Sequence, residues 1–441
     1  MWSEVLLVLV ALGPGVWSLP ASKLSKSTGS STSRHKLLLV SFDGFRWDYD
    51  QDVDTPELDL ISLRGVKAKY ITPPMLTMTS PSHFTTITGR WVEDHEVVHN
   101  MMFDQKTNLK IPHKQTLRRS EWWDTGATPL WITAQNQGLK VGSFHFPGGG
   151  ANYSGQPVGR HVFEIPGFPD DNETEWRQNM DTVLDWFSEE DFDFVTLYFG
   201  EPDNVGHARG PDTPQRKAII RQIDHALGYL RHGIEMRNLT HNLNVIITSD
   251  HGMTTVKKRP LVDEIVLNNY LPLLQLNSFE ILDYGGFGIL TPKPGKEPQV
   301  LEALAKVPNI TAYAKNQIPK SFHLGKSKRM PPVVIQADLG FNLNSRFIVY
   351  VNKGDHGYHS GEMDMKTIFR AFGPDFRQNV VSEPFDSIHL YPLMCNLLRI
   401  TPAPHNGSAQ VTMELLIQDK DGSSAVASSV VLLMSLLLLF L

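Results

Sequence analysis

Three apolar, β-branched runs each stop on a turn residue: Lys36-Leu-Leu-Leu-Val-Ser-Phe42 before Asp43-Gly44, Asp193-Phe-Val-Thr-Leu-Tyr-Phe199 before Gly200, and Asn244-Val-Ile-Ile-Thr-Ser249 before Asp250. Runs this short that are apolar at successive positions predict strands buried on both faces. Between the last two, Pro214 to about Arg237 has helical spacing, with Ile219, Ile220, Ile223, Ala226, Leu227 and Leu230 on one face. Strands alternating with helices predict an α/β fold whose largely parallel central sheet is covered by helices on both faces. No repeat or long linker interrupts the chain from His35 to about Asp419, so residues 35–419 are expected to form a single catalytic domain.

The ends break this pattern. An apolar stretch from Val5 to about Leu12, followed by small and turn residues, has the length of a signal-peptide core and is too short to span a bilayer. Residues 1–21 therefore read as a signal peptide, though the usual basic start is missing, and residues 22–34 read as a Ser/Thr-rich linker. Val430 to Leu441 is apolar apart from Ser435, shorter than a spanning helix, and no basic residue follows it. Small residues at Gly422 to Ser424 are similar to a glycolipid-anchor signal with a short spacer. Residues 420–441 are expected to anchor the protein to a membrane, whether by a transmembrane helix or a glycolipid. Five glycosylation acceptors, Asn152, Asn172, Asn238, Asn309 and Asn406, agree with an extracellular address at the plasma membrane.

Composition narrows the function. The chain has 441 residues, 41% hydrophobic and 20% charged, which excludes wholesale disorder. Forty-seven acidic against 41 basic side chains leave a net charge of −6, too balanced for a dedicated nucleic-acid binder. The lone Cys395 excludes an intrachain disulfide and a cysteine-ligated structural zinc site, whereas 17 histidines raise the question of metal ligation.

Four segments hold such ligands: Ser41-Phe-Asp43-Gly44, Glu201-Pro-Asp203-Asn-Val-Gly-His207, Thr248-Ser-Asp250-His251-Gly252 and Gly354-Asp355-His356-Gly357. Asp43, Asp203 and Asp250 follow the carboxyl ends of the three strands, where ligands bind in parallel sheets. A single Asp there is equally suited to a turn or helix cap. Four segments at matching positions favour a metal, and carboxylate oxygen with imidazole nitrogen and no thiolate suits Zn²⁺ at an open catalytic site. Asp203 and His207, four apart, can hold one ion from a single turn. Thr79 with Pro81 marks a helix start, where its hydroxyl is either an ordinary cap or a nucleophile beside a metal.

These segments identify a family. Phe42-Asp43-Gly44, Thr79-Ser-Pro-Ser-His83-Phe, Asn100 after a His-rich turn, Asp203-x3-His207, Ser249-Asp250-His251-Gly252-Met253 and His356-Gly357-Tyr358 resemble the nucleotide pyrophosphatase/phosphodiesterase family of the alkaline phosphatase superfamily. The resemblance runs in order from His35 to about Ile400 and is nearest to the family's alkaline sphingomyelinase branch. It implies an alkaline-phosphatase-like fold and two Zn²⁺ ions, one on Asp203, His207 and His356, the other on Asp43, Asp250 and His251 with the Thr79 oxygen. It implies that Thr79 is the nucleophile, that Asn100 donates to a phosphate oxygen, and that sphingomyelin is cleaved to ceramide and phosphocholine. Phe279 is the first candidate to face the choline, with Phe146 and Phe168 behind it, because aromatic faces attract cations. Ser82 stands where the resemblance would place a cysteine, and the segment from Val162 to Asp171 departs from the sphingomyelinase pattern.

Other readings remain. The same reaction would serve a lysophospholipid, glycerophosphocholine or a nucleotide ester, and an inactive ectodomain would show replaced ligands, which this chain does not. His95-Glu96-Val97-Val98-His99 matches the HExxH motif of zinc proteases, which needs both histidines on one helical face. Gly89 upstream, two valines within and Asn100 after favour a loop there.

Overall fold

Every side chain from Lys36 to Phe42 is buried. Leu37 and Leu39 pack into one core and Leu38, Val40 and Phe42 into another, as a strand covered on both faces requires. This strand, β1 (Lys36–Phe42), lies inside an eight-stranded sheet. The other strands are β2 (Val66–Ala68), β3 (Val141–Phe144), β4 (Arg160–Val162), β5 (Phe194–Phe199), β6 (Leu243–Thr248), β7 (Phe369–Phe372) and β8 (Val380–Ser382), in the order β8-β2-β7-β6-β1-β5-β3-β4. The stretch β6-β1-β5-β3-β4 is parallel throughout, and β7 runs antiparallel to both β6 and β2. This alkaline-phosphatase-like arrangement agrees with the expected fold class. The computed structural model describes residues 34–163, 171–282, 284–348 and 351–417. The signal peptide, all but the last residue of the linker, the anchor segment and Phe168 lie outside the described residues.

Helices cover both faces. On one, Glu173–Ser188 contributes Trp176, Met180, Val183, Leu184, Trp186 and Phe187. Beside it, Pro214–Met236 buries the predicted apolar stripe. Its start is fixed by Pro214 in the first turn and by Thr213, whose side chain accepts from Arg216 N at 3.3 Å. Each fully buried Ile or Leu of that stripe contributes about 1.5–3 kcal/mol. The opposite face is covered by Thr79–Thr88, Leu130–Gln135 and Leu390–Leu397.

The sequence reading missed a second, four-stranded antiparallel sheet, in the order Asn277–Ile281, Phe287–Pro292, Val333–Ala337, Ile310–Ala314. It packs on the helix Glu297–Leu304 as a third hydrophobic core. Leu343 N donates to Gly285 O at 3.1 Å and Gly286 N to His356 O at 3.3 Å, so this sheet is tied directly to the fourth ligand segment. Among the described residues no helix is long and apolar enough to cross a membrane.

Candidate active site

β1 ends on Asp43, and Gly44 (φ +69°) turns the chain away. A Cβ on Gly44 would stand 2.9 Å from Asp203 Cα, so the glycine permits the loop after β5 to close on the end of β1. Asp203 N then donates to Asp43 O at 2.9 Å, and the helix Asp203–Arg209 starts there. β6 ends beside them and delivers Asp250 and His251.

Two ligand groups result, Asp203 with His207 and His356, and Asp43 with Asp250 and His251, the donor atoms within each lying within 4.8 Å of one another. In the first, Asp203 Oδ2 is 3.3 Å from His207 Nε2 and Oδ1 is 3.7 Å from His356 Nε2. In the second, His251 Nε2 lies 3.3 Å from both Asp43 Oδ1 and Asp250 Oδ2. The groups adjoin, since the His251 and His356 rings stack with centroids 3.6 Å apart.

Hydrogen bonding from behind sets the donor atoms. The Nδ1 atoms of His207, His251 and His356 lie 2.9, 2.9 and 2.8 Å from the carbonyl oxygens of Gly354, Gly252 and Thr77. Carbonyl oxygen only accepts, so the Nδ1 of His251 and of His356 carries the proton and the Nε2 turns a lone pair inward, whereas His207 Nδ1 also meets Asn352 Nδ2 at 2.8 Å. The carboxylates are half-satisfied in the same way. Asp250 Oδ1 accepts from Gly44 N and His251 N at 3.1 and 3.0 Å, and Asp43 Oδ2 from Tyr198 Oη at 2.5 Å. Asp43 Oδ1, Asp203 Oδ1 and Asp250 Oδ2 are buried with no hydrogen-bond partner.

Buried acceptors facing lone pairs repel unless a cation lies between them. Two ligands about 2.1 Å from a tetrahedral zinc sit roughly 3.4 Å apart, close to the separations here, so the residues fit such an ion. The titration environment agrees. Burial, then Asp250 and Asp203, push the Asp43 carboxyl well above its usual range. Burial and the neighbouring His251 hold His356 well below its ordinary value, so its ring is neutral. Burial opposes ionisation of His207, but Asp203 outweighs it and pushes the imidazole up to about 10. His207 therefore pairs as an imidazolium with the Asp203 carboxylate, and a divalent cation would displace its Nε2 proton.

Thr79 is the first residue of the helix Thr79–Thr88, with Met78 as its N-cap, so its hydroxyl is not used in capping. Thr79 Oγ1 lies 3.5 Å from His251 Nε2 and accepts from Asn100 Nδ2 at 3.3 Å. Asn100 cannot turn over, because its Oδ1 accepts from Ser80 N at 2.7 Å, which points the amide protons at Thr79 and at Tyr284 Oη, 3.0 Å away.

Three neighbours escaped the sequence reading. Tyr198 clamps Asp43; Tyr284 meets Asn100; and His83 lies 2.8 Å from Thr79 O, 3.4 Å from Asp250 Oδ2 and 2.9 Å from Ser41 Oγ. Only His83, four residues after Thr79 and so above it on the helix, left a readable signal.

Other expectations fall elsewhere. Phe279 is 2% exposed, packed at 5.4 Å on Phe103, with the Lys110 ammonium 5.1 Å over its ring. Phe146 is buried edge-on against His83. The HExxH match is not a helix: Val92–His95 ends where Glu96 turns left-handed (φ +60°). Its carboxylate accepts from Ser327 Oγ at 2.6 Å and Lys328 N at 2.9 Å, while His95 bonds Thr85, so the motif is structural. Asn152, Asn172, Asn238, Asn309 and Asn406 are all exposed.

Residues 37–359 match the model of the type I phosphodiesterase / nucleotide pyrophosphatase family. The chain is 50% identical over 390 residues to ectonucleotide pyrophosphatase/phosphodiesterase family member 7 of Homo sapiens, covering 88% of this chain and 85% of that one. Its Mus musculus counterpart is 48% identical over 406 residues, covering 91% of each. Among solved structures, an inactive threonine-to-alanine variant of murine ectonucleotide pyrophosphatase / phosphodiesterase 5 in complex with AMP superposes with a TM-score of 0.80. It is 35% identical, and the match covers 87% of this chain and 100% of that one.

Proposed function

The chain belongs to the type I phosphodiesterase / nucleotide pyrophosphatase family and is a phosphoric diester hydrolase, and from this premise we propose that it cleaves sphingomyelin to ceramide and phosphocholine through a phosphothreonine intermediate. The observation that carries the reading is the Thr79 hydroxyl held by Asn100 against two adjoining ligand groups whose carboxylates each keep one buried, unpaired oxygen. Asp203, His207 and His356 would hold one zinc, and Asp43, Asp250 and His251 the other. When bound, the pair would lower the pKa of a hydroxyl or water and stabilise charge on the phosphate and leaving oxygens.

Thr79 Oγ1 attacks phosphorus in line, the bond to the ceramide oxygen breaks, and phosphocholine remains on Thr79. Asn100, locked by Ser80 N, donates to a non-bridging phosphate oxygen as charge gathers there. Water then attacks phosphorus from the vacated side, the bond to Thr79 Oγ1 breaks, phosphocholine leaves and the Thr79 hydroxyl is restored, so two inversions leave net retention at phosphorus. His83 bonds the Thr79 carbonyl at 2.8 Å from a position 3.4 Å from Asp250 Oδ2, which packs it between nucleophile and ligand.

We place the enzyme outside the cell, glycosylated on its exposed acceptors and tethered through residues 420–441, next to a substrate that resides in bilayers. The test is purified protein with sphingomyelin, with and without chelator, run beside lysophosphatidylcholine, glycerophosphocholine and a nucleotide diester. Chelator-sensitive release of phosphocholine is expected. The structural neighbour bound to AMP makes a nucleotide ester the main competitor; much faster cleavage of that ester than of any choline substrate would defeat the lipid assignment.

A further inference from the structure

A second cavity, of about 280 Å³, lies where the small antiparallel sheet meets the segment that follows His356. Three rings line it. Phe322 has Tyr313 at 5.7 Å and 79° and His359 at 5.1 Å and 69°, so two rings stand nearly perpendicular to it. Asp338 and Glu362 are exposed at its edge, and neither forms an ion pair with a described residue. Among the described residues no lysine or arginine lines the space. Lys366, whose charge acts on Glu362, directs its ammonium to Ser360 O at 2.6 Å and Thr72 Oγ1 at 3.1 Å. Gln336, 7% exposed, donates Nε2 to the carbonyls of Gly286, Ala337 and Gly357, which leaves its Oε1 buried without a partner.

We propose that this cavity binds an organic cation of the methylated-ammonium class. Aromatic faces attract a diffuse cation through the ring quadrupole, and a trimethylammonium group brings apolar methyls that ring walls accommodate. Two rim carboxylates that form no ion pair with a described residue supply the complementary charge. A calcium or magnesium ion would instead need six or more converging oxygens, which ring walls do not provide, and Asp338, Glu362 and His359 are not among the described residue groups whose donor atoms converge closely enough for zinc. The site is distinct from the catalytic groups, since none of its lining residues belongs to either ligand group, although one short segment serves both, His356 in a ligand group and His359 in the cavity. A choline headgroup in a lipid surface and a free choline-type cation share this chemistry.

Calorimetric titration of tetramethylammonium chloride into the full chain, against sodium chloride at matched ionic strength, reads the site directly. Saturable binding in the millimolar range is expected, at least about tenfold weaker in the Asp338→Asn/Glu362→Gln double variant and in Tyr313→Ala. Turnover of bis(p-nitrophenyl) phosphate and the melting temperature should be unchanged in both. A wild-type protein with no saturable binding overturns the proposal, as do folded variants that bind undiminished, since that cation would then sit in the catalytic cleft. In a second arm, cosedimentation with phosphatidylcholine vesicles is compared with phosphatidylglycerol vesicles. Loss of phosphatidylcholine binding in the double variant supports the site as a headgroup contact; loss of tetramethylammonium binding alone supports it as a site for the free cation. Failure of sphingomyelin cleavage would leave both titrations readable, so the two proposals fail separately.

Discussion

Chelation should lower the melting temperature of the protein by a calculable amount. Asp43, Asp203 and Asp250 each bury one oxygen that has no hydrogen-bond partner, opposite the His251 and His356 nitrogens whose protons lie on the far side of the ring. An ion that binds only the folded chain adds RT ln(1 + [L]/Kd), about 4 kcal/mol at a thousandfold excess over Kd. The 374 described residues, at about 2 cal/mol/K each, give an unfolding entropy of about 0.8 kcal/mol/K. Each ligand group should therefore move the midpoint by about 5 °C, and the pair by about 10 °C. The assay is scanning fluorimetry of protein dialysed against EDTA and retitrated with zinc chloride, with bound metal counted by mass spectrometry. Asp250→Asn removes a ligand from one group only, so it should keep about half the shift and about half the metal. A chelated protein that melts within about 1 °C of the zinc-loaded form would refute the reasoning, as would an Asp250→Asn variant with undiminished zinc uptake.

Thr79→Ala should abolish turnover and Thr79→Ser retain part of it, with metal content equal in both; steady-state rates and metal analysis decide. Asn100→Ala should lower kcat by about 10²–10³-fold, the usual cost of one lost oxyanion donor, and a stopped assay on sphingomyelin measures it. Glu96→Gln should leave kcat within about twofold but cost about 1–3 kcal/mol of stability in a denaturant titration, because its carboxylate serves Ser327 and Lys328. Loss of activity there would revive the protease reading.

Much of the site could be read before folding was considered, for local reasons. A strand buried on both faces is apolar at consecutive positions and must end on a residue that turns the chain, and the ends of β1, β5 and β6 place Asp43, Asp203 and Asp250 at or just beyond that point. Asp203 and His207 are neighbours through helical spacing alone. The failure of His95-Glu96-Val97-Val98-His99 to form a helix was also foreseeable from Gly89 and the paired valines.

What the linear order could not carry is which partners arrive from far away. Tyr198 faces Asp43 because β5 pairs beside β1 with Ser41 opposite Tyr198; Tyr284 reaches Asn100 across 184 residues because an antiparallel sheet with no distinctive period places it there. The proton positions on His251 and His356 depend on the carbonyls of Gly252 and Thr77, fixed only once the loops dock. Periodicity and turn chemistry act over a few residues, so the amino-acid order decided the strands, the helices and the kinds of donor atom. The direction each donor faces, and the oxygens left for a cation, arise from burial against distant backbone, which only the packed chain supplies.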